Sequence, residues 1–164
     1  MNSKIAGLYA ITPDLADTDD LLYRVRAAIA GGSRVVQYRN KTADPQLRLT
    51  QARALQALCA ARGVPLIIND HLDVALAVDS AGLHLGGDDG DIAAARARLG
   101  AGKLLGASCY DRLELAEAAV AAGAQAFITG EISEPQAHLA HETGVAFFAC
   151  GHHATARYGA PALA

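Results

Sequence analysis

The chain has 164 residues, of which 52% are apolar, 5% aromatic and 19% charged, and its formal net charge is −3. A chain of this length buries roughly 70% of the surface that it exposes when unfolded, so one domain can form without disulfides or structural metal. The acidic balance and the absence of any run of Lys and Arg exclude an extended nucleic-acid or anionic-membrane surface, because phosphate binding needs clustered cations.

Seven short apolar runs alternate with longer segments of helical period, which predicts repeated strand–helix units. The runs are nearly continuous in apolar residues, as is typical of parallel strands covered on both faces. The predicted strands are residues 5–12, 34–40, 65–70, 82–87, 104–109, 126–132 and 145–151. The clearest helix begins with Asp44 as N-cap and Pro45 at its first position, and Gly63 stands at its exit.

Repeated strand–helix units favour right-handed crossovers and a parallel sheet. The expected fold is therefore an α/β fold with a parallel (β/α) repeat, a truncated or seven-unit TIM-barrel-like arrangement, with an open doubly wound parallel sheet as the alternative. Unless the seven strands close, the first and last expose unpaired backbone groups, so we expect a homo-oligomer.

The cysteines Cys59, Cys109 and Cys150 are odd in number and widely spaced, without a CxxC pair. This spacing predicts free buried thiols in a reducing compartment. The first residues lack a basic region followed by an apolar run, and no stretch reaches the roughly 18 apolar residues that a membrane span needs. We therefore expect a cytoplasmic protein without a membrane partner.

Strand two ends in the motif QYRNK, where period-two alternation sends Gln37, Arg39 and Lys41 to one side and into the interior of a barrel. Two cations and an amide on one face suit a pyrophosphate. The alternative is a buried ion-pair layer. Anion binding is favoured because buried Arg and Lys without a ligand are energetically expensive.

Polar residues also end the next three strands. Strand three ends in Asn69 and Asp70, and strand four leads into Asp88 and Asp89. Two carboxylates on neighbouring strand ends near a cationic site would hold a Mg²⁺ that bridges pyrophosphate oxygens, although Asp88 or Asp89 can instead cap the next helix. Strand five places the hydroxyl of Ser108 where a phosphate oxygen can accept its proton.

The motifs GLYAITPD, QYRNK, PLIIND, GLHLGGDD and GASCYD occur in this order with fitting intervals. Through them the span from about residue 5 to residue 124 resembles thiamine-phosphate synthase. The resemblance implies a (β/α)8 barrel that uses Mg²⁺ to join hydroxymethylpyrimidine pyrophosphate to a thiazole phosphate and releases pyrophosphate. It implies pyrimidine-pyrophosphate contacts at Gln37, Arg39, Lys41 and Asn69, Mg²⁺ ligands at Asp70 and Asp89, and a substrate-phosphate contact at Ser108.

After Ala124 this resemblance ends, because the Thr/Lys-rich pyrophosphate loop and the late glycine-rich loops do not follow. Residues 125–164 instead contain GEISE and GHHATARYG, and this segment resembles the C-terminal end of the dinuclear-metal GTP cyclohydrolase 1 type 2 homologues. In that family a His and a Glu four residues later are metal ligands, and the resemblance places these two positions at His152 and Ala156. Alanine cannot coordinate a metal, so His152 alone would be a weak metal site.

We therefore expect a single α/β domain over residues 1–164, with synthase-like units in residues 1–124 and two units of different origin in residues 125–164, joined naturally or by engineering. The expected function is that of a thiamine-phosphate-synthase-like protein with a partial Mg²⁺–pyrophosphate site and little or no transferase activity. The alternatives are a chimeric scaffold without catalytic function and a residual metal-binding protein. The expected partner is a small phosphate or pyrophosphate, not a nucleic acid.

Overall fold

A computed structural model of the chain describes residues 7–110, 112–124, 126–129, 138, 141–144 and 146–149. Each of the seven predicted strands overlaps an observed strand. The strands in the described ranges are β1 (Leu8–Ile11), β2 (Ser33–Tyr38), β3 (Leu66–Asn69), β4 (Gly82–Leu85), β5 (Leu104–Ala107), β6 (Ala126–Thr129) and β7 (Ala146–Ala149). The helices there are α1 (Thr18–Ala30), α2 (Pro45–Ala60), α3 (Leu72–Ala77), α4 (Ile92–Leu99) and α5 (Leu113–Ala121).

Strands β1 to β5 form one sheet in the order β1-β2-β3-β4-β5, and β1 to β4 pair in parallel. In this order each crossover advances by one strand, as in a TIM barrel, whereas a doubly wound sheet reverses its order at a switch point. The prediction of a parallel (β/α) repeat of the TIM-barrel type is confirmed. Strands β6 and β7 pair in parallel as a separate two-stranded sheet.

The chain divides into two compact units, Met1–Gly106 and Ala107–Ala164. The first unit contains the strands from β1 to β4, most of β5 and the helices from α1 to α4. The second contains α5, β6 and β7. The boundary between the units falls after Gly106, whereas the sequence suggests a junction at about residue 124.

The two faces of β2, β3 and β4 carry different side chains. We call the face that packs against the helices the outer face and the opposite one the inner face. Alternation along each strand fixes which residues lie on which face. The outer face and the helices together form the hydrophobic core, which includes Val36, Tyr38, Leu66, Ile68, Leu83 and Leu85 from the strands and Leu21, Val25, Leu55 and Cys59 from the helices.

Helix α2 begins as predicted. The Asp44 side chain accepts a hydrogen bond of 2.8 Å from the Leu47 N–H, and Pro45 occupies the first turn. Proline suits this position because its missing N–H would have no intrahelical partner. The cap fixes the start of α2 directly after the loop that follows β2.

The predicted thiol state is confirmed for two of the three cysteines. Cys59 and Cys109 are free and buried, and Cys150 lies outside the described residues. Burial raises the pKa of the Cys59 thiol to about 11, since the thiolate is poorly solvated in the core. In the part of the chain that the structure describes, no helix combines the length and the apolar character of a membrane span.

Candidate functional site

Three uncharged polar side chains lie side by side on the inner face of β2, β3 and β4. The Gln37 Nε2 donates a hydrogen bond of 2.8 Å to the Asn69 Oδ1, and Asn69 pairs in register with His84. We call Gln37, Asn69 and His84 the polar band. One step toward the amino ends of β2 and β3, Val35 and Ile67 form a buried apolar floor on the same face.

His84 completes the band and was missed by the sequence interpretation. A Cβ built on Gly106 would lie 2.7 Å from the His84 Nδ1, so the imidazole lies against the backbone of β5. Burial lowers the pKa of His84, an effect that the carboxylates of Asp70 and Asp89 oppose. The imidazole is therefore mostly uncharged at neutral pH. The available signal was a single polar residue in the apolar run LHL of strand four.

Asp70 directly follows β3 in an unusual backbone conformation. Its φ of 62° lies in the left-handed region, where Asp is among the more tolerated non-glycine residues. The Asp70 N–H donates a hydrogen bond of 2.7 Å to the His84 carbonyl oxygen. This bond holds the start of the loop after β3 against β4, beside the polar band.

Asp89 lies in the turn after β4, where its N–H donates to the Gly86 carbonyl oxygen at 3.2 Å. The carboxylates of Asp70 and Asp89 both raise the pKa of His71 and of His84, against the decrease that burial causes in each imidazole. Both carboxylates therefore act electrostatically on the same two imidazoles. Their joint binding of Mg²⁺ stays a prediction.

The alternative role of Asp88 or Asp89 as a helix cap is wrong. Helix α4 has Asp91 as its N-cap, and the Asp91 Oδ1 accepts hydrogen bonds from the Ala93 N–H at 2.7 Å and the Ala94 N–H at 3.2 Å. One side chain thus supplies the cap that the sequence analysis considered as an alternative role for an earlier acid. This leaves the Asp89 carboxylate out of the helix start.

The cations that follow β2 are organised by Asp14, a residue that the sequence interpretation did not single out. The Asp14 Oδ1 accepts from the Lys41 N–H at 2.9 Å and lies 3.6 Å from the Arg39 Nη1. The Arg39 N–H donates to the Thr12 Oγ1 at 3.0 Å, and that hydroxyl donates to the Arg39 carbonyl at 2.9 Å. The loop after β2 is thereby fixed to the loop after β1.

This geometry limits the alternation argument. Because β2 ends at Tyr38, alternation places Gln37 on the inner face but does not extend to Arg39 and Lys41, whose common direction stays a prediction. The Arg39 and Asp14 side chains are 37% and 35% exposed, and Lys41 is exposed. They therefore form a partly solvated rim, not the buried ion-pair layer that was the alternative.

A buried amide on α2 binds the two loops next to this rim. Gln51 on α2 is fully buried, and its Oε1 accepts from the Tyr38 hydroxyl at 2.8 Å and from the Asn40 Nδ2 at 3.0 Å. Its Nε2 donates to the Leu15 carbonyl at 2.9 Å. The Asn40 Oδ1 accepts from the backbone N–H of Ala43 at 3.1 Å. One side chain thus connects α2 with the loops that follow β1 and β2.

The donor set fits Mg²⁺ better than a transition metal. Among the described residues, no three His, Cys, Asp or Glu side chains cluster in a geometry that could hold a metal ion by themselves. Two carboxylates are what Mg²⁺ commonly takes from a protein, because it keeps waters and binds substrate phosphates with its remaining positions. Asp70 and Asp89 match that pattern.

Two predicted site residues are not placed beside the others. Ser108 directly follows β5, is half-buried and belongs to the second compact unit, so its contact with a phosphate stays a prediction. His152 lies outside the described residues, and its role as a metal ligand also stays a prediction.

Comparison with known proteins gives consistent results. The sequence profile of the family "Thiamine monophosphate synthase" matches residues 8–161. The chain is 52% identical over 132 residues to the thiamine-phosphate synthase of Chromobacterium violaceum, covering 80% of this chain and 64% of that protein. It is 54% identical over 127 residues to the thiamine-phosphate synthase of Bordetella pertussis, covering 77% of this chain and 58% of that protein.

A solved structure shows the same fold. The thiamine phosphate pyrophosphorylase from Pyrococcus furiosus superimposes with a TM-score of 0.65 at 26% sequence identity, over 88% of this chain and 85% of that chain. By contrast, the chain covers between 52% and 64% of the length of the curated relatives.

The comparisons bear differently on the two resemblances found in the sequence. The profile match continues to residue 161 and so includes most of residues 125–164, for which we expected a different origin. The comparisons give no support to a segment from a GTP cyclohydrolase 1 type 2 homologue or to a chimera. The match to the synthase profile extends over more than half of the chain, and the chain therefore belongs to the thiamine monophosphate synthase family.

Proposed function

We propose that the first compact unit binds hydroxymethylpyrimidine pyrophosphate together with Mg²⁺. The observation that carries the proposal is the polar band beside the loop that holds Asp70, whose N–H donates a hydrogen bond of 2.7 Å to the His84 carbonyl oxygen, with Asp89 in the turn after β4. In parallel α/β folds, ligands bind at the carboxyl ends of the strands, where these residues lie. The names of the curated relatives support the same substrate class.

The site has three layers that match the parts of such a substrate. Val35 and Ile67 supply an apolar floor, and the polar band offers amide and imidazole groups for ring nitrogens and an amino group. Beyond the strand ends, the charged groups form a rim suited to pyrophosphate. Under this proposal Arg39 and Lys41 of the rim bind the pyrophosphate, and Asp70 and Asp89 lie beside them. The phosphate contact of Ser108 stays a separate prediction.

Asp70 and Asp89 would hold the Mg²⁺, whose positive charge stabilises a departing pyrophosphate when it is bound. The chain's own contribution is to position the donors. The Asp70 backbone is held by the His84 carbonyl at 2.7 Å, and the Lys41 backbone is held by Asp14 at 2.9 Å. These bonds fix the backbone from which the two side chains extend, which lowers the conformational entropy that the loops lose on binding.

We also propose that transfer to a thiazole phosphate is slow or absent. The support comes from residues 125–164, where the Thr/Lys-rich loop implied by the synthase resemblance does not follow. The transfer needs both reactants held in line, and half a site cannot provide that alignment. The curated relatives are named as synthases, so low turnover is a prediction about this chain alone.

The alternative is a chimeric scaffold without catalytic function, which the comparisons do not support. Under this alternative residues 125–164 have a different origin, and the protein binds neither pyrophosphate nor metal, so His152 is not a metal ligand.

A homo-oligomer in the cytoplasm remains the expected state, and light scattering of the purified protein tests the oligomer.

Isothermal titration with inorganic pyrophosphate in the presence of Mg²⁺ tests the proposal. Arg39→Ala is expected to weaken binding about 10- to 100-fold, because a hydrogen bond to a charged group contributes about 1.5–3 kcal/mol. Arg24→Ala is the matched control, since Arg24 pairs with Asp20 on the exposed side of α1. Asp70→Asn should abolish the Mg²⁺ dependence.

Thermal unfolding separates the proposal from the scaffold alternative. A ligand that binds only the folded state at 100 times its Kd stabilises it by about 2.7 kcal/mol, which raises the Tm by several degrees in a chain of this size. An unchanged Tm in millimolar pyrophosphate and Mg²⁺, or equal affinity in wild type and Arg39→Ala, would refute the proposed site.

A further inference from the structure

We propose that Gly106 is a positioning residue for the pyrimidine part of the substrate: its missing side chain lets the His84 imidazole lie over β5, where it faces the substrate ring. The inference rests on the proposed function and deepens it. It assigns the specificity for a heteroaromatic group to the contact between two neighbouring strands, apart from the charged rim.

The first argument is steric. The three heavy atoms nearest to a Cβ built on Gly106 are the Nδ1, Cγ and Cε1 atoms of His84, at 2.7, 3.6 and 3.7 Å. All three belong to one imidazole, so one edge of the ring occupies the space that any other residue at 106 would fill. Real Cβ atoms essentially never approach a neighbour to 2.7 Å, and the ring would have to move.

The second argument removes the other common reason for a glycine. Gly7, Gly63, Gly100 and other glycines of the chain have positive φ angles, which side chains rarely adopt, whereas Gly106 does not. Gly106 lies within β5, where a glycine weakens the strand unless another group approaches its backbone closely. Space for His84 is therefore the structural reason for glycine here.

The third argument is that the backbone of His84 has little freedom to give way, so the imidazole must move instead. Asn69 is its register partner on β3, and the His84 carbonyl accepts the Asp70 N–H at 2.7 Å. The neighbouring Leu83 and Leu85 are buried in the core and fix the strand. A side chain at 106 would thus turn the imidazole out of the polar band and leave the backbone in place.

The polar band explains which part of the substrate would be affected. Gln37, Asn69 and His84 offer amide and imidazole groups, which pair with ring nitrogens and an amino group. The charged residues Arg39 and Lys41 lie beyond the strand end. Displacing the imidazole should therefore weaken binding of the ring and spare binding of the pyrophosphate.

The test compares Gly106→Ala, within β5, with Gly102→Ala, two residues before the start of β5. A Cβ on Gly102 meets no atom within 4 Å, and its φ is not in the left-handed region. Titrations use two probes with Mg²⁺, inorganic pyrophosphate and hydroxymethylpyrimidine pyrophosphate. Gly106→Ala is expected to weaken the second at least 10-fold and the first less than twofold, while Gly102→Ala changes neither.

A second readout separates positioning from general damage. Without ligand, the imidazole ring resonances of His84 in NMR spectra should shift in Gly106→Ala and stay unchanged in Gly102→Ala. In the double variant His84→Ala with Gly106→Ala, affinity for the pyrimidine substrate should equal that of His84→Ala alone. A role through His84 predicts this non-additivity, whereas independent damage predicts a further loss.

The outcomes distinguish the inference from the function on which it rests. Wild-type protein that binds neither probe would refute the proposed function. Wild-type binding that Gly106→Ala leaves intact, equal weakening of both probes, or additive losses in the double variant would overturn the positioning role. Unchanged His84 resonances in Gly106→Ala would overturn it whether or not a ligand binds.

Discussion

Replacing Gln51 by leucine tests whether one buried amide holds the loops that carry the cationic rim. Gln51 is fully buried, and the change removes the acceptor at 2.8 Å from the hydroxyl of Tyr38, a residue that is only 2% exposed. The Leu15 carbonyl keeps the Asn40 Nδ2 as a donor at 2.7 Å, but the Asn40 Nδ2–H that donates to Gln51 at 3.0 Å also loses its acceptor. An unsatisfied buried polar group costs about 1–3 kcal/mol, and we expect the free energy of unfolding to fall by at least that amount.

A double-mutant cycle makes this magnitude specific. In Tyr38→Phe the Gln51 Oε1 still accepts from the Asn40 Nδ2 at 3.0 Å, so this single change should cost about 1 kcal/mol or less. When both partners are replaced, no hydroxyl is left unsatisfied. Tyr38→Phe combined with Gln51→Leu should therefore be more stable than Gln51→Leu alone, with a coupling energy of about 1–2 kcal/mol.

The assay is urea denaturation followed by far-ultraviolet circular dichroism, because the chain has no tryptophan. Gln46→Leu is the control on the same helix, since Gln46 is exposed and its 3.5 Å contact with Thr50 lies on the surface. It should change stability by no more than about 0.5 kcal/mol. Equal stability of Gln51→Leu and wild type, or a double variant no better than Gln51→Leu, would refute the reasoning.

Three further predictions follow from other contacts. Burial lowers the pKa of His84 below its ordinary value of 6.5. As the pH drops from 7, the imidazole of His84 therefore takes up a proton in the unfolded chain before it does so in the folded chain. The free energy of unfolding should fall over this range, down to the pKa of the folded state. In metal-free protein, His84→Gln should remove up to about 1.4 kcal/mol per pH unit of this slope in urea titrations, and an unchanged slope would contradict the assignment. Gly82→Ala should cost about 1–3 kcal/mol in the same assay because its Cβ would collide with the Leu104 backbone, whereas stability equal to that of wild type would show that the strands can separate. Asp44→Ala should cost about 1 kcal/mol by removing the cap of α2, and Asp44→Asn should retain most of it; similar losses in both would point to charge rather than capping.

The strands could be predicted because burial on both faces requires apolar runs, and such runs are visible in a sequence. Their ends could not be predicted as well. The run at 65–70 includes Asp70, but a φ of 62° at this residue ends the strand at Asn69. The run at 34–40 includes Arg39, whose backbone instead bonds to the Thr12 hydroxyl at 2.9 and 3.0 Å.

Candidate site residues could be named where the chemistry of a residue alone distinguishes it. Acids and cations at strand ends stand out, and Asp70 and Asp89 follow β3 and β4 as expected, while their role as Mg²⁺ ligands stays a prediction. His84 and Gly106 were missed, because their importance lies in a contact between β4 and β5. Such a contact depends on the register between strands, which no periodicity within one strand reveals.

The polar band and the rim therefore depend on different parts of the sequence. The polar band is carried by strands, so its geometry follows from register and from the space at Gly106. The rim is carried by a loop, and its geometry depends on Asp14 and Gln51, which hold that loop from outside the QYRNK motif. A substitution at Gln51 would leave every motif residue in place and still loosen the rim. The presence of the QYRNK motif alone is thus a weaker indicator of pyrophosphate binding than its presence together with Asp14 and Gln51.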